Sequence, residues 1–250
     1  MTAESFDLRS NPPDAYRRYG CAVLRALDDR QVSLLRRFAK DWVYRLMGDW
    51  AGDRKRRSPL GSYHIWSKGL GFDHAGTFKA GNRHTLPGPD IQRALLNQRV
   101  KEFLQEIGLD RYELWDEGLG WLGFRFIRPG AGDGYPFSRK AWGVAKEVIS
   151  CWIPIIGYDR RHTLTLVPGS HRKNYERYLP EGQKFAQGEY RLARIPPAFD
   201  RYNPGLKRGE VVFYHPKTLH SEDVLAGRIT RLNLEFRINP LSRQGGDSNQ

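Results

Sequence analysis

Apolar residues recur every three to four positions at Val32, Leu34, Leu35, Phe38, Trp42, Val43 and Leu46. That spacing lines one face of an α-helix and predicts a helix over Asp29–Met47, with Asp28 or Asp29 placed to cap it. Upstream, Asp14–Tyr19 reads as a helical turn and Cys21–Leu27 as a short strand. A second helical pattern opens at Pro89 and Asp90. Ile91, Leu95, Leu96, Val100, Phe103, Leu104 and Ile107 form its apolar face, and Gly108 ends it. Between the two helices, Ala51–Pro89 is rich in Gly, Arg and His and has no period. It reads as a long surface loop with short ordered pieces, the kind of segment that serves as a lid or binding loop.

The pattern changes near residue 110. Short apolar runs follow, separated by Gly and Pro: Tyr112–Trp115, Trp121–Arg128, Val148–Ile155, Thr163–Val167, Glu210–Tyr214, Leu219–Val224 and Thr230–Ile238. Runs of this length with turn chemistry between them predict a β-sandwich or barrel. Pro180–Lys207 reads as a polar insertion and Ser242–Gln250 as a tail. The last run alternates strictly. Arg231, Asn233, Glu235 and Arg237 share one face, and Leu232, Leu234, Phe236 and Ile238 share the other. Such a strand either has one packed and one wet face, or turns its polar face into a barrel mouth, where a guanidinium can grip a carboxylate at two points.

Composition narrows the class. The chain has 250 residues, 39% of them hydrophobic and 12% aromatic, enough for a core. No stretch approaches a membrane span, and the first residues lack a signal-peptide core. Two cysteines, Cys21 and Cys151, give neither a disulfide framework nor a zinc motif, so a reducing cytoplasm is the expected compartment. The net charge of +13 favours anionic partners. No nucleic-acid-binding motif accompanies it, so nucleic acid is not expected as a partner.

Three segments carry a family resemblance. Leu164-Thr-Leu-Val-Pro-Gly-Ser-His-Arg172, the run Gly209-Glu-Val-Val-Phe213 followed by His220 and Arg231, and the opening Tyr16-Arg-Arg-Tyr-Gly-Cys-Ala-Val-Leu24 resemble the phytanoyl-CoA dioxygenase family. The resemblance implies a mainly β protein with flanking helices. Its core would be a double-stranded β-helix (jelly roll) over residues 110–240, wrapped by residues 1–109, with 241–250 as a tail, all in one domain. It also implies Fe(II) held by two His and one carboxylate, 2-oxoglutarate as co-substrate, and hydroxylation of a C–H bond. On that basis His220 is an iron ligand, and Arg231 with Asn233 binds 2-oxoglutarate. The matching His-x-Asp pair is missing. Pro136 and Ser138 stand in its place, and no His-x-Asp occurs anywhere in the chain. Glu222, two residues after His220, either replaces a ligand or pairs with a nearby Arg or Lys. A third ligand would have to come from His215 or from the 51–89 loop.

The substituted turn is itself basic. Ser138, Arg139, Lys140 and Lys146 lie among Tyr135, Phe137 and Trp142, a combination suited to clamping a phosphate or carboxylate. Two functions therefore stay open at this point. One is an oxygenase acting on an anionic small metabolite, such as a CoA thioester, a nucleotide sugar or an acidic sugar. The other is a metal-free relative that binds such a molecule without oxygenase activity.

Overall fold

The computed structural model describes residues 6–52, 58–68, 71–79, 82–115, 120–131, 133, 135–141, 148–158, 164–175, 178, 188–191, 200–222 and 228–241. Over 135–141 and 188–191 the description covers the backbone. Helix α1 spans Pro12–Tyr19 and ends on Gly20, whose φ of 69° is a left-handed cap. Strand β1 (Cys21–Arg25) follows, then α2 (Asp29–Met47). Asp28 is the residue that caps α2. It accepts the Gln31 N–H at 2.8 Å while Gln31 Oε1 accepts the Asp28 N–H at 2.9 Å, a reciprocal capping box.

The second helical pattern is two helices, α5 (Pro89–Leu95) and α6 (Gln98–Glu106). The break falls at Asn97. Its amide donates to the carbonyls of Ala26 and Ala94, and its carbonyl oxygen accepts the Val100 N–H, so its side chain caps a new helix. The segment read as a surface loop holds two short helices, α3 (Tyr63–Trp66) and α4 (His74–Thr77), and strand β2 (His84–Thr85). It is less superficial than its composition suggests, because Leu60, Tyr63, His74 and Phe78 are buried.

The remaining strands are β3 (Tyr112–Leu114), β4 (Leu122–Ile127), β5 (Tyr135–Ala141), β6 (Ile149–Ile156), β7 (Leu164–Leu166), β8 (Gly188–Arg191), β9 (Glu210–Tyr214), β10 (His220–Glu222) and β11 (Arg231–Pro240). Two of these correct the sequence reading. The basic segment read as a turn is strand β5, and the polar insertion contains β8. Pro136 hid β5, since proline argues against a strand interior. The register explains its tolerance. Ser138 pairs with His220 and Tyr135 with Glu222, so Pro136 and Phe137 together face Ser221 in a bulge.

The strands form two antiparallel sheets. The larger runs β1-β9-β6-β11-β4-β2, with β3 also on β11, and the smaller runs β7-β10-β5-β8. Side-chain contacts show which face of the large sheet is which. Phe124 stacks on Trp42 of α2, with ring centroids 3.9 Å apart and planes 7° from parallel. Phe213 meets Phe103 of α6. The face bearing Phe124, Leu234, Phe213 and Phe236 therefore lies under the helices. Arg125, Asn233, Glu235 and Trp152 occupy the opposite face through the pairs Asn233–Arg125 and Glu235–Trp152. That face meets the small sheet, because the Trp152 indole N–H donates to Glu222 of β10.

On the helix-covered face a polar cluster fastens α3 and α4 to the turn after β4. His74 Nδ1 lies 3.0 Å from the Tyr63 hydroxyl, and its Nε2 lies 3.6 Å from Asp133. Arg128 donates to both oxygens of Asp133, at 2.8 and 3.0 Å. Burial, reinforced by Arg128, pushes the His74 imidazole down to about 4, with Asp133 opposing. One apolar core joins residues from Leu8 to Ile238, and includes α2, α6 and both faces of the β1 region. Among the described residues no helix is long and apolar enough to cross a membrane.

Candidate functional site

The alternation along β11 puts Arg231, Asn233, Glu235 and Arg237 between the two sheets, not in water. Arg231 is 3% exposed and Asn233 is fully buried. Both faces of the strand are thus covered over its first half, one by apolar packing and one by polar partners. The Arg231 guanidinium lies over the Tyr158 ring, 5.8 Å from its centroid. The Tyr158 hydroxyl donates to Asn233 Oδ1 at 2.8 Å, and Asn233 Nδ2 donates to Glu235 Oε1 at 3.1 Å. Glu235 in turn pairs with Arg125, whose Nε is 3.2 Å away. A continuous polar chain therefore crosses from the connection after β6 to β11 and on to β4.

The small sheet supplies the other wall. His220 and Glu222 are alternate residues of β10, and both are buried. His220 Nδ1 is 2.8 Å from the Thr218 carbonyl, which accepts, so this nitrogen carries the proton and Nε2 is the basic one in the neutral ring. The imidazole packs on Tyr214, with ring centroids 4.7 Å apart. The Gly-Ser-His turn braces this strand from outside, since Ser170 Oγ accepts the Leu219 N–H at 2.8 Å. His171 itself packs against Gly20 and lies beside His215, which places it in the scaffold.

For Glu222, the structure shows arginine pairing. Its Oε1 accepts the Trp152 indole N–H at 2.6 Å, and its Oε2 lies 3.6 Å from Arg125 Nε. Burial drives this carboxyl up to about 7, and the Arg125 charge works against that rise. Candidates for a third iron ligand go elsewhere. His215 Nδ1 accepts the Lys217 N–H, His64 Nδ1 contacts the Thr230 hydroxyl, and His74 belongs to the cluster under the helices.

Ser138 is directly across from His220 on β5, and Tyr135 is across from Glu222. On the other edge of β5, Arg139 pairs with Tyr190 and Lys140 with Glu189 of β8. These are backbone positions, and Trp142 and Lys146 lie outside the described residues. The substituted segment therefore adjoins the site, alongside the strand that carries His220 and Glu222.

The described residues do not fit the iron site that the family resemblance implies. Proline has no ligating side chain, Glu222 is engaged by an indole and a guanidinium, and among the described residues no group of three or more His, Cys, Asp or Glu is placed to hold a metal. By strand parity Arg125, Arg231 and Arg237 lie on the interior face of the large sheet, with Glu235 beside them and Glu222 opposite on the small sheet. Sequence reasoning missed Arg125, Trp152 and Tyr158. Arg125 had a signal, as the lone charge inside the apolar strand LGFRFI. Trp152 reads as core, and Tyr158 sits in a connection with no pattern.

No protein-family model matches the sequence. No curated protein matches it either. Solved structures do. The non-heme α-ketoglutarate-dependent carbocyclase SnoK from nogalamycin biosynthesis is 16% identical with a TM-score of 0.56, over 96% of this chain and 86% of that one. The epimerase SnoN, in complex with Fe3+, α-ketoglutarate and nogalamycin RO, is 16% identical at a TM-score of 0.57, over 95% and 91%. AviO1 from Streptomyces viridochromogenes Tue57 is 14% identical at 0.56, over 96% and 98%. At these identities the likeness is one of fold, and the chain has the fold of these proteins over nearly its whole length.

Proposed function

We propose that this chain is a single jelly-roll domain of the Fe(II)/2-oxoglutarate oxygenase type that binds an anionic small molecule between its two sheets without the usual iron centre. The observation that carries this reading is the fate of Glu222, whose two oxygens face Trp152 and Arg125. Arg231 is the anchor for a carboxylate of 2-oxoglutarate or of a related acid, because a buried guanidinium offers paired donors in a medium where charge–charge attraction is strong. Asn233 and Tyr158 hold that anchor's surroundings through their mutual hydrogen bond. Ser138, Arg139 and Lys140, with Tyr135, Trp142 and Lys146, form the second anion-holding segment. It would serve an anionic metabolite such as a CoA thioester, a nucleotide sugar or an acidic sugar. Neither nucleic acid nor a membrane is a partner in this reading.

A second reading, 2-oxoglutarate-dependent hydroxylation, has its own support. His220 faces the interior, and the fold neighbours include proteins described as α-ketoglutarate dependent. Calorimetry with 2-oxoglutarate separates the two. Metal-free protein in chelator should bind it, and Arg231→Ala should weaken binding by about 1.5–3 kcal/mol, the range for a charged hydrogen bond. Binding that appears only with Fe(II) under anaerobic conditions, followed by succinate release in air, would establish the second reading instead.

A further inference from the structure

The centre of the interior is an ion cluster whose cation is a side chain. Arg125 Nε lies 3.2 Å from Glu235 Oε1 and 3.6 Å from Glu222 Oε2. The two carboxylates come from different sheets, β11 and β10, so the guanidinium joins the sheets through charge. Glu222 Oε2 is buried and accepts no hydrogen bond from the described residues, so its nearest compensation is the Arg125 charge. Arg125 is itself mostly covered, with its side chain 13% exposed. Two carboxylates in so dry a place need a counter-ion, since leaving buried charge uncompensated costs several kcal/mol. In oxygen-rich protein sites that counter-ion is commonly a divalent metal ion.

Resting on the metal-free reading above, we infer that Arg125 takes the electrostatic place of a metal between Glu222 and Glu235, so that the site is complete without one and becomes a divalent-cation site only when this guanidinium is removed. The argument is one of charge and position. Arg125 pairs in register with Asn233, and β11 separates its strand from that of Trp152, so its position is fixed by the sheet. A guanidinium cannot lose its proton in a protein, so the cation is permanent and indifferent to chelators.

The test uses the full chain, stripped with chelator, and titrates Mn2+ by electron paramagnetic resonance and Co2+ by visible absorption. Wild type should show no stoichiometric protein-bound metal. Arg125→Ala and Arg125→Met should bind one equivalent at least about tenfold more tightly than wild type, about 1.4 kcal/mol. Arg125→Lys, which keeps the cation, should behave as wild type. Metal-free wild type with no gain in either neutral variant would overturn this inference and leave the proposed function standing. Stoichiometric metal in wild type would overturn both. Should the single variants fail to fold, Arg125→Met with Glu222→Gln removes the guanidinium together with the charge of its more buried partner. Recovery of soluble, folded protein in that pair supports the counter-ion role, and no recovery overturns it.

Discussion

Two buried titratable groups pull the acid stability of this protein in opposite directions. His74, under the helices, is held at about 4 against an ordinary 6.5. Its depressed folded value means that the unfolded chain takes the proton first. Its contribution is therefore present above about pH 6.5 and is lost as pH falls toward about 4. Glu222, between the sheets, is held at about 7 against an ordinary 4.5. Its raised value has the opposite sign. The folded chain takes the proton first, so the contribution is full below about pH 4.5 and is lost as pH rises through about 7. Each separation of about 2.5 pH units is worth at most about 3.4 kcal/mol, of which about 2.5 kcal/mol develops between pH 7 and pH 4.5. Between those pH values the two effects nearly cancel in wild type. Single substitutions separate them. His74→Asn, which keeps a polar atom near the Tyr63 hydroxyl, should make the protein gain about 2.5 kcal/mol on acidification relative to wild type. Glu222→Gln should make it lose about as much. Urea unfolding at the two pH values, followed by circular dichroism, measures all three proteins. Each difference reports the substituted group together with the charged neighbours that titrate with it, Asp133 beside His74 and Glu235 beside Glu222. Parallel pH dependences for wild type and both variants would refute the reasoning.

The Trp42–Phe124 stack fixes α2 on the outer face of the large sheet, and Trp42→Ala should cost about 3–5 kcal/mol in urea unfolding, against a much smaller loss for Trp42→Phe. Both cysteines are buried and unpaired with one another, and burial pushes the Cys21 thiol up to about 12 and the Cys151 thiol well above its usual value. A disulfide reagent at pH 8 should therefore label neither in native protein and both in urea, with rapid native labelling as the contrary result.

Sequence periodicity marked the elements whose faces differ sharply in polarity. Helix α2 was legible because its apolar stripe is unbroken, and β11 because polar and apolar residues alternate over eight positions. Strand β5 was not, because Pro136 is compatible with a strand only at a bulge, and a bulge is fixed by the partner strand. The break between α5 and α6 was hidden for a similar reason. Asn97 reads as an ordinary polar position until Ala26, distant in sequence, accepts its amide N–H. In the site, Arg231, Asn233, His220 and Glu222 could be found from strand parity and family resemblance. Their partners could not, because Arg125, Trp152 and Tyr158 reach them through strand register and sheet facing.

The position of β11 also governs the order in which the chain can assemble. It lies between β6 and β4 in the large sheet, yet it follows every other described strand in sequence. Until it is made, the sheet is three unjoined pieces: β1, β9 and β6 on one side, β4 and β2 on the other, and β3 alone. The apolar stripe of α2 and the outer faces of β4 and β6 then wait for a lining, and open strand edges wait for a partner. Contacts so remote along the chain form slowly and leave surfaces open to aggregation meanwhile. During synthesis, the described strands that precede β11 therefore keep open edges until β11 is available to join them.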